Sequence, residues 1–232
     1  MLLIDFGLIA GVGVFTYGVA DKYISDAFIS LVGGHKSSCN DDYKLVLGYS
    51  GKLVKKPIIV DMRSTPHLLC CGLSGQGKSR CIEYAIKGKD VVLLNAFYDD
   101  FKTIKGRRIV GNENILKYLE SLVKEPYKRE KPLYIVIDEL LVLCIDKKIS
   151  NAIKDLLAVG RHYNIFCFGI SQRGTKSDLS FKDLFNARMT FRQVEGSSYS
   201  AILGYSVEDK RLKKREFVLA SDDIYKGMTY DV

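Results

Sequence analysis

The chain has 232 residues, 47% of them hydrophobic and 27% charged, a composition that excludes a disordered or fibrous protein and allows a sizeable buried core. The 35 Lys and Arg outweigh the 27 Asp and Glu to leave a net charge of +8, which suits a polyanionic partner such as nucleic acid or anionic lipid and equally suits simple solubility. Three histidines and six cysteines fall in no zinc-site spacing, and most of the cysteines sit inside apolar runs, so they read as small buried hydrophobes in a reducing compartment.

Residues 1–33 form a hydrophobic N-terminal segment. Met1 to Ala20 is apolar apart from Asp5 and Thr16, about the length that crosses a bilayer as a helix. Gly7-x-x-x-Gly11 is a small-residue spacing that packs membrane helices. The segment has no basic leader and no clear small-residue cleavage site, so a cleaved signal peptide is not expected. A membrane anchor is expected, the alternative being an apolar helix packed on the domain or on a neighbouring subunit. Lys22, Lys36, Lys44, Lys52, Lys55 and Lys56 follow and favour a cytoplasmic body. Residues 34–42 read as a linker of turn formers, and residues 43–232 as one domain.

Lys44 to Ser50, a turn at Gly51 and Lys52 to Asp61 predict a β-hairpin. The core then alternates strand and helix. Strands are predicted at Leu68–Cys71, Val91–Asn95, Leu133–Ile137, Ile165–Ile170 and Arg188–Val194. Helices are predicted at Lys78–Ile86, Asn112–Lys124, Ile149–Gly160 and near Phe181–Leu184. Such alternation implies an α/β fold with a mostly parallel sheet covered on both faces by helices.

The first predicted core strand runs into Gly72-Leu73-Ser74-Gly75-Gln76-Gly77-Lys78-Ser79, which fits G-x-x-x-x-G-K-[ST], the phosphate-binding loop of nucleoside triphosphatases. Glycines at 72, 75 and 77 let successive backbone N–H groups face one anion. A helix starting near Lys78, with Arg80 in its first turn, adds its positive dipole end. Lys78 can reach the β- and γ-phosphates of ATP, and the Ser79 hydroxyl can ligate Mg²⁺.

Leu133-Tyr134-Ile135-Val136-Ile137-Asp138-Glu139 is a continuous apolar strand that ends in two carboxylates. In a buried parallel strand the carboxyl end is where charge and ligand can sit. Asp138 is placed to hold Mg²⁺, and Glu139 to orient or deprotonate the attacking water. A strand also ends at Ser171-Gln172-Arg173. If that strand lies between the other two, the Gln172 amide can accept from water and donate to the γ-phosphate; otherwise Gln172 is a polar residue leaving a strand.

Pro57-Ile58-Ile59-Val60-Asp61-Met62-Arg63-Ser64-Thr65-Pro66-His67-Leu68-Leu69 flows directly into the glycine-rich loop. This run resembles the D-x-x-x-x-P-H-L-L segment and loop of DNA translocases of the FtsK/SpoIIIE/HerA type. Gly160-Arg161-His162-Tyr163-Asn164-Ile165, Ser171-Gln172-Arg173, Arg188-Met189-Thr190-Phe191-Arg192-Gln193-Val194 and Ala201-Ile202-Leu203-Gly204 resemble later blocks of that family, in the same order. The resemblance covers about Pro57 to Gly204. Gly174 stands where the family has a proline, Ser74 and Gln76 replace threonine and serine in the loop, and the chain reads as a minimal form, as in mobile elements or viral packaging ATPases.

The resemblance implies a RecA-like (ASCE) P-loop ATPase that binds ATP and Mg²⁺ and assembles as a ring, expected to be a hexamer, around double-stranded DNA. An arginine from a neighbouring subunit would complete each site, with Arg161, Arg173 and Arg188 as candidates. Basic residues among Lys102, Lys105, Arg107, Arg108 and Lys176 would grip the DNA backbone without reading bases. The implied activity is DNA transfer or genome packaging; the alternative is a membrane-associated ATPase for phage assembly or protein export.

Overall fold

A computed structural model describes residues 41–51, 53–97, 99–174, 179–207 and 211–230. The expected anchor at 1–33, nearly all of the expected linker, Lys52 and Lys176 lie outside those residues. The compact unit that spans Cys39–Ser50 and Lys56–Val232 carries everything described below.

Among the described residues ten strands form one sheet: β1 (Lys44–Ser50), β2 (Lys56–Asp61), β3 (Leu68–Cys71), β4 (Asp90–Leu94), β5 (Arg107–Ile109), β6 (Leu133–Ile137), β7 (Ile165–Ser171), β8 (Ala187–Thr190), β9 (Glu216–Ala220) and β10 (Ile224–Met228). Their order across the sheet is β2-β1-β10-β9-β8-β3-β7-β6-β4-β5. From β8 to β5 every neighbouring pair is parallel. From β8 outward through β9, β10, β1 and β2 every pair is antiparallel. The sheet is therefore mixed, with the predicted parallel strands forming its functional half.

The central strands are apolar throughout because both faces are covered. All four residues of β3 are buried; Leu68 and Cys70 join one core cluster, and Leu69 and Cys71 the other, as a period of two dictates. Helix α1 (Lys78–Ile86) covers the first face with Cys81, Ile82, Ala85 and Ile86. Helices α2 (Asn112–Lys124) and α4 (Lys147–Val159) cover the second. α4 buries Ile149, Ala152, Ile153, Leu156 and Leu157, a stripe at helical spacing. Each such apolar side chain contributes roughly 1.5–3 kcal/mol on full burial. Asp146 caps α4 by accepting from the backbone N–H of Lys148 and Ile149 at 2.9 and 3.4 Å. That cap starts the helix at Lys147, two residues before the apolar period that predicts it.

His67 anchors the start of β3. It is buried, and its Nδ1 accepts the Cys167 backbone N–H of β7 at 3.0 Å. The cysteines behave as small hydrophobes: Cys70, Cys71, Cys81 and Cys167 are buried and, like Cys144, carry free thiols, and burial pushes the Cys70 thiol up to about 12.

Three expectations change. The helix predicted near Phe181–Leu184 is a single 3₁₀ turn, Lys182–Leu184. The strand predicted at Arg188–Val194 is the shorter β8, because the chain leaves the ladder after Thr190 to meet the glycine-rich loop. β5, the short helix α3 (Leu140–Leu143), α5 (Gly196–Leu203), β9 and β10 are additional elements.

Candidate nucleotide-binding site

The glycine-rich loop is stitched to the two strands that flank β3. Gly72 N–H donates to the Ser171 carbonyl of β7 at 3.2 Å, and Leu73 N–H to the Arg192 carbonyl beyond β8 at 3.0 Å. Gly72 cannot carry a side chain there: its φ is +149°, and a Cβ would stand 2.7 Å from Phe191 Cβ. Gly77, at φ +110°, delivers the chain into α1, whose N-terminus has no side-chain cap. The first N–H groups of the helix are thereby left for an outside acceptor. Lys78 folds back over the loop, and its Nζ donates to the carbonyls of Gly72 at 2.7 Å and Leu73 at 3.0 Å.

The carboxyl end of β6 faces this loop with β7 between. Asp138 is held on both sides of its peptide: its N–H donates to Leu94 at 3.0 Å, and the Asn95 side chain donates to its carbonyl at 3.4 Å. Its carboxyl is buried. Burial is the main cause that raises its pKa to about 6; the charges of Asp100 and Glu139 push the same way, and the Glu139 N–H and Lys78 oppose. Glu139 sits at φ +49° as the residue before α3. A left-handed non-glycine residue costs on the order of 1–2 kcal/mol, and here the Glu139 N–H bond to Asp138 Oδ1 at 3.1 Å helps hold it.

Loop and acids line one cleft of about 440 Å³. Of the residues singled out from the sequence, Ser74, Gly75, Gly77, Lys78, Ser79, Arg80, Asp138, Glu139 and Gln172 line it. Gly72, Leu73 and Gln76 form the root of the loop behind them. β7 lies between β3 and β6, so Gln172, one residue past its end, emerges between lysine and carboxylates. Arg161 and Arg188 stand off this cleft. Arg161 is exposed in the 3₁₀ turn Gly160–Tyr163, at the end of β7 opposite Ser171. Arg188 pairs with Asp183 at 3.3 Å and packs beside Gly204. Arg173 is exposed beyond Gln172. Arg108 braces the β4–β5 connection by donating to the carbonyls of Phe97, Asp100 and Phe101. Lys102 pairs with Asp99 at 3.1 Å, and the Arg107 guanidinium lies over the Tyr118 ring, 5.5 Å from its centroid.

Besides Ile170 of β7, three charged cleft residues escaped sequence reasoning: Asp100, Lys214 and Arg215. Asp100 comes from the irregular connection after β4. Lys214 and Arg215 come from the charged run before β9, which carries no motif.

This fold and this loop define a P-loop nucleoside triphosphatase fold. Within that class the chain is similar to the DNA translocase FtsK of Staphylococcus epidermidis, with 25% identity over an alignment covering 76% of this chain. The match spans 28% of that relative's length. The resemblance to FtsK-type translocases drawn from the motif blocks is thus matched by a sequence similarity over 76% of this chain. No family model matches the chain. Among solved structures, the pCW3 conjugation coupling protein TcpA in its monomer form with ATPγS superposes with a TM-score of 0.71 at 17% identity, covering 85% of this chain and 68% of its own. The cytoplasmic domain of the Thermomonospora curvata type VII secretion ATPase EccC superposes with a TM-score of 0.63 at 15% identity, covering 82% of this chain and 29% of its own. At these identities the two structures share the fold with this chain.

Proposed function

We propose that this protein is an ATP-hydrolysing motor that moves double-stranded DNA, in transfer between cells or in genome packaging. The observation that carries the ATPase is the meeting of Lys78 and Ser79 with Asp138, Glu139 and Gln172 in one cleft. Similarity to FtsK supports DNA as the cargo.

The loop N–H groups and Lys78 bind the phosphates, Lys78 exchanging the carbonyls of Gly72 and Leu73 for phosphate oxygens. Gln172 orients the attacking water against the γ-phosphate and Glu139 accepts its proton; as the water oxygen bonds to the γ-phosphorus, the bond to the β–γ bridging oxygen breaks, and ADP and inorganic phosphate leave. Ser79 and Asp138 would hold Mg²⁺. The donor set fits: a hydroxyl and a buried carboxylate share the cleft. An ion held by these two groups would be completed by phosphate and water. When bound, Mg²⁺ supplies charge neutralisation on the phosphates.

The chain works in a ring, as a hexamer, with Arg161, Arg173 or Arg188 completing a neighbour's site; none of the three lines its own cleft, which is compatible with a role in trans. DNA lies against basic residues such as Arg107 through backbone contacts. Residues 1–20 tether the ring to a membrane, leaving 43–232 as the motor domain. No described helix is long and apolar enough to cross a membrane, so the tether rests on sequence.

Steady-state hydrolysis by the full chain, with and without duplex DNA, tests the motor. Duplex DNA should raise turnover, Lys78→Ala should abolish nucleotide binding or turnover, and Glu139→Gln should bind ATP but turn over slowly. Parental turnover in Glu139→Gln would remove Glu139 as the base. Indifference to duplex DNA would overturn the DNA motor and favour protein export, whose ATPase EccC has the same fold.

A further inference from the structure

The segment entering β9 is built onto the phosphate loop. Arg215 N–H donates to the Gln76 carbonyl at 3.0 Å. The Arg215 side chain packs against Gly77, where an added Cβ would lie 3.5 Å from its Cγ. Its Nη2 donates to the Thr229 carbonyl at 2.9 Å, and the Thr229 N–H donates back to the Arg215 carbonyl at 3.1 Å. Arg215 holds φ +74°, a conformation that persists in an arginine only where surroundings impose it. Two independent attachments, one to the loop and one to the buried Thr229 past β10, impose it here.

This latch fixes the position of the residue before it. Lys214 is exposed, lines the cleft, and has no hydrogen bond or ion pair among the described residues. The acid nearest in sequence, Glu216, is engaged by the Lys213 backbone N–H at 2.8 Å. The latch abuts Gly77, the entrance to α1, which is the phosphate end of a P-loop site. An ammonium held there meets anionic oxygens rather than the base.

We propose that Lys214 is a phosphate-binding residue of the nucleotide site, contributed by the same subunit and positioned by the Arg215 latch. This rests on the nucleotide reading above. The C-terminal β9–β10 hairpin then becomes a wall of the nucleotide site, and the triphosphate is gripped from the loop side and from the hairpin side.

The test measures affinity of the full chain for ATP, ADP and adenosine by titration calorimetry, beside unliganded melting. Lys214→Ala should weaken ATP and ADP about tenfold, the loss expected for one charge-assisted hydrogen bond at an open site. Adenosine binding and the unliganded melting temperature should not move. Lys214→Arg should recover most of the affinity, and Lys213→Ala, one residue outside the cleft lining, should match the parent. Parental ATP affinity in Lys214→Ala, with affinity lost in Lys78→Ala, overturns the Lys214 assignment and leaves the nucleotide site intact. No ATP binding by the parent overturns both.

Discussion

Replacing His67 with asparagine should flatten the acid limb of the stability curve. His67 is 1% exposed, sits at φ +65° and accepts the Cys167 N–H of the central strand through Nδ1. Burial pushes its imidazole down from 6.5 to about 4; the Arg161 charge acts the same way, and the Leu157 carbonyl opposes without offsetting them. Because the folded value lies below the unfolded one, the neutral ring supports the fold above about pH 6.5. That support is lost as the pH falls from 6.5 towards 4. The gap from 6.5 to about 4 corresponds to roughly 3 kcal/mol when fully developed, accruing at about 1.4 kcal/mol per pH unit in the middle of the window.

Asparagine keeps an acceptor near the Nδ1 position and tolerates a positive φ, but it does not titrate. Its smaller volume costs a constant amount, so the slope and not the level is the readout. Urea unfolding of parent and His67→Asn at several pH values between 4.5 and 7.5 should give curves that converge as the pH falls. Parallel curves would refute the claim that a neutral, buried imidazole holds β3 against β7.

Gly72→Ala should cost on the order of 1–3 kcal/mol, because its Cβ meets Phe191 where neither backbone can yield; a melting temperature equal to the parent's would show that the loop root is loose. Asp138→Asn should stabilise the nucleotide-free protein at pH 7 by up to roughly 3 kcal/mol. The Asp138 carboxyl titrates near 6 instead of 3.8, so the folded state loses stability as the pH rises through that window and bears the full penalty above it. Unfolding in EDTA checks this, and a variant less stable than the parent at pH 7 would contradict it. Asp146→Ala should cost about 1 kcal/mol by uncapping α4, read as a lower urea midpoint with an unchanged slope.

The parallel half of the fold is legible in the sequence for a physical reason: its strands are buried on both faces, so Leu133–Ile137 and Leu68–Cys71 are unbroken apolar runs bounded by turn residues. The antiparallel half is not so marked. β10 reads Ile-Tyr-Lys-Gly-Met and is mostly accessible, and β5 is two arginines and an isoleucine at the sheet edge. The main cleft residues follow from the motif because loop and acid strand are contiguous in sequence. Lys214 and Arg215 do not, since their place over the loop is set by β9 pairing with β8 some 25 residues after it, a long-range choice that charge patterning does not encode. The Pro66-His67-Leu68 block shows the converse. It helps draw the family resemblance, yet its histidine anchors one strand to another and does not line the cleft.

The two walls of the cleft carry opposite charge. Asp100, Asp138 and Glu139 stand on the β4–β6 side, and Lys78, Arg80, Lys214 and Arg215 on the side of the loop and β9. Lys78 donates to loop carbonyls, Arg215 donates to Thr229, and burial with the neighbouring charges of Asp100 and Glu139 raises the Asp138 carboxyl to about 6 in spite of Lys78. Asp138 feels the like charges of Asp100 and Glu139 as well as its own burial, and the opposing charge of Lys78 relieves only part of that cost. A ligand that presents negative charge to one wall and brings a divalent cation to the other relieves both at once. A nucleoside triphosphate with its metal ion has that polarity; a bare anion would satisfy the basic wall and aggravate the acidic one. The preference predicts that ATP and Mg²⁺ bind cooperatively, each raising the affinity for the other, and it fails if ATP affinity is the same in excess EDTA as in millimolar Mg²⁺.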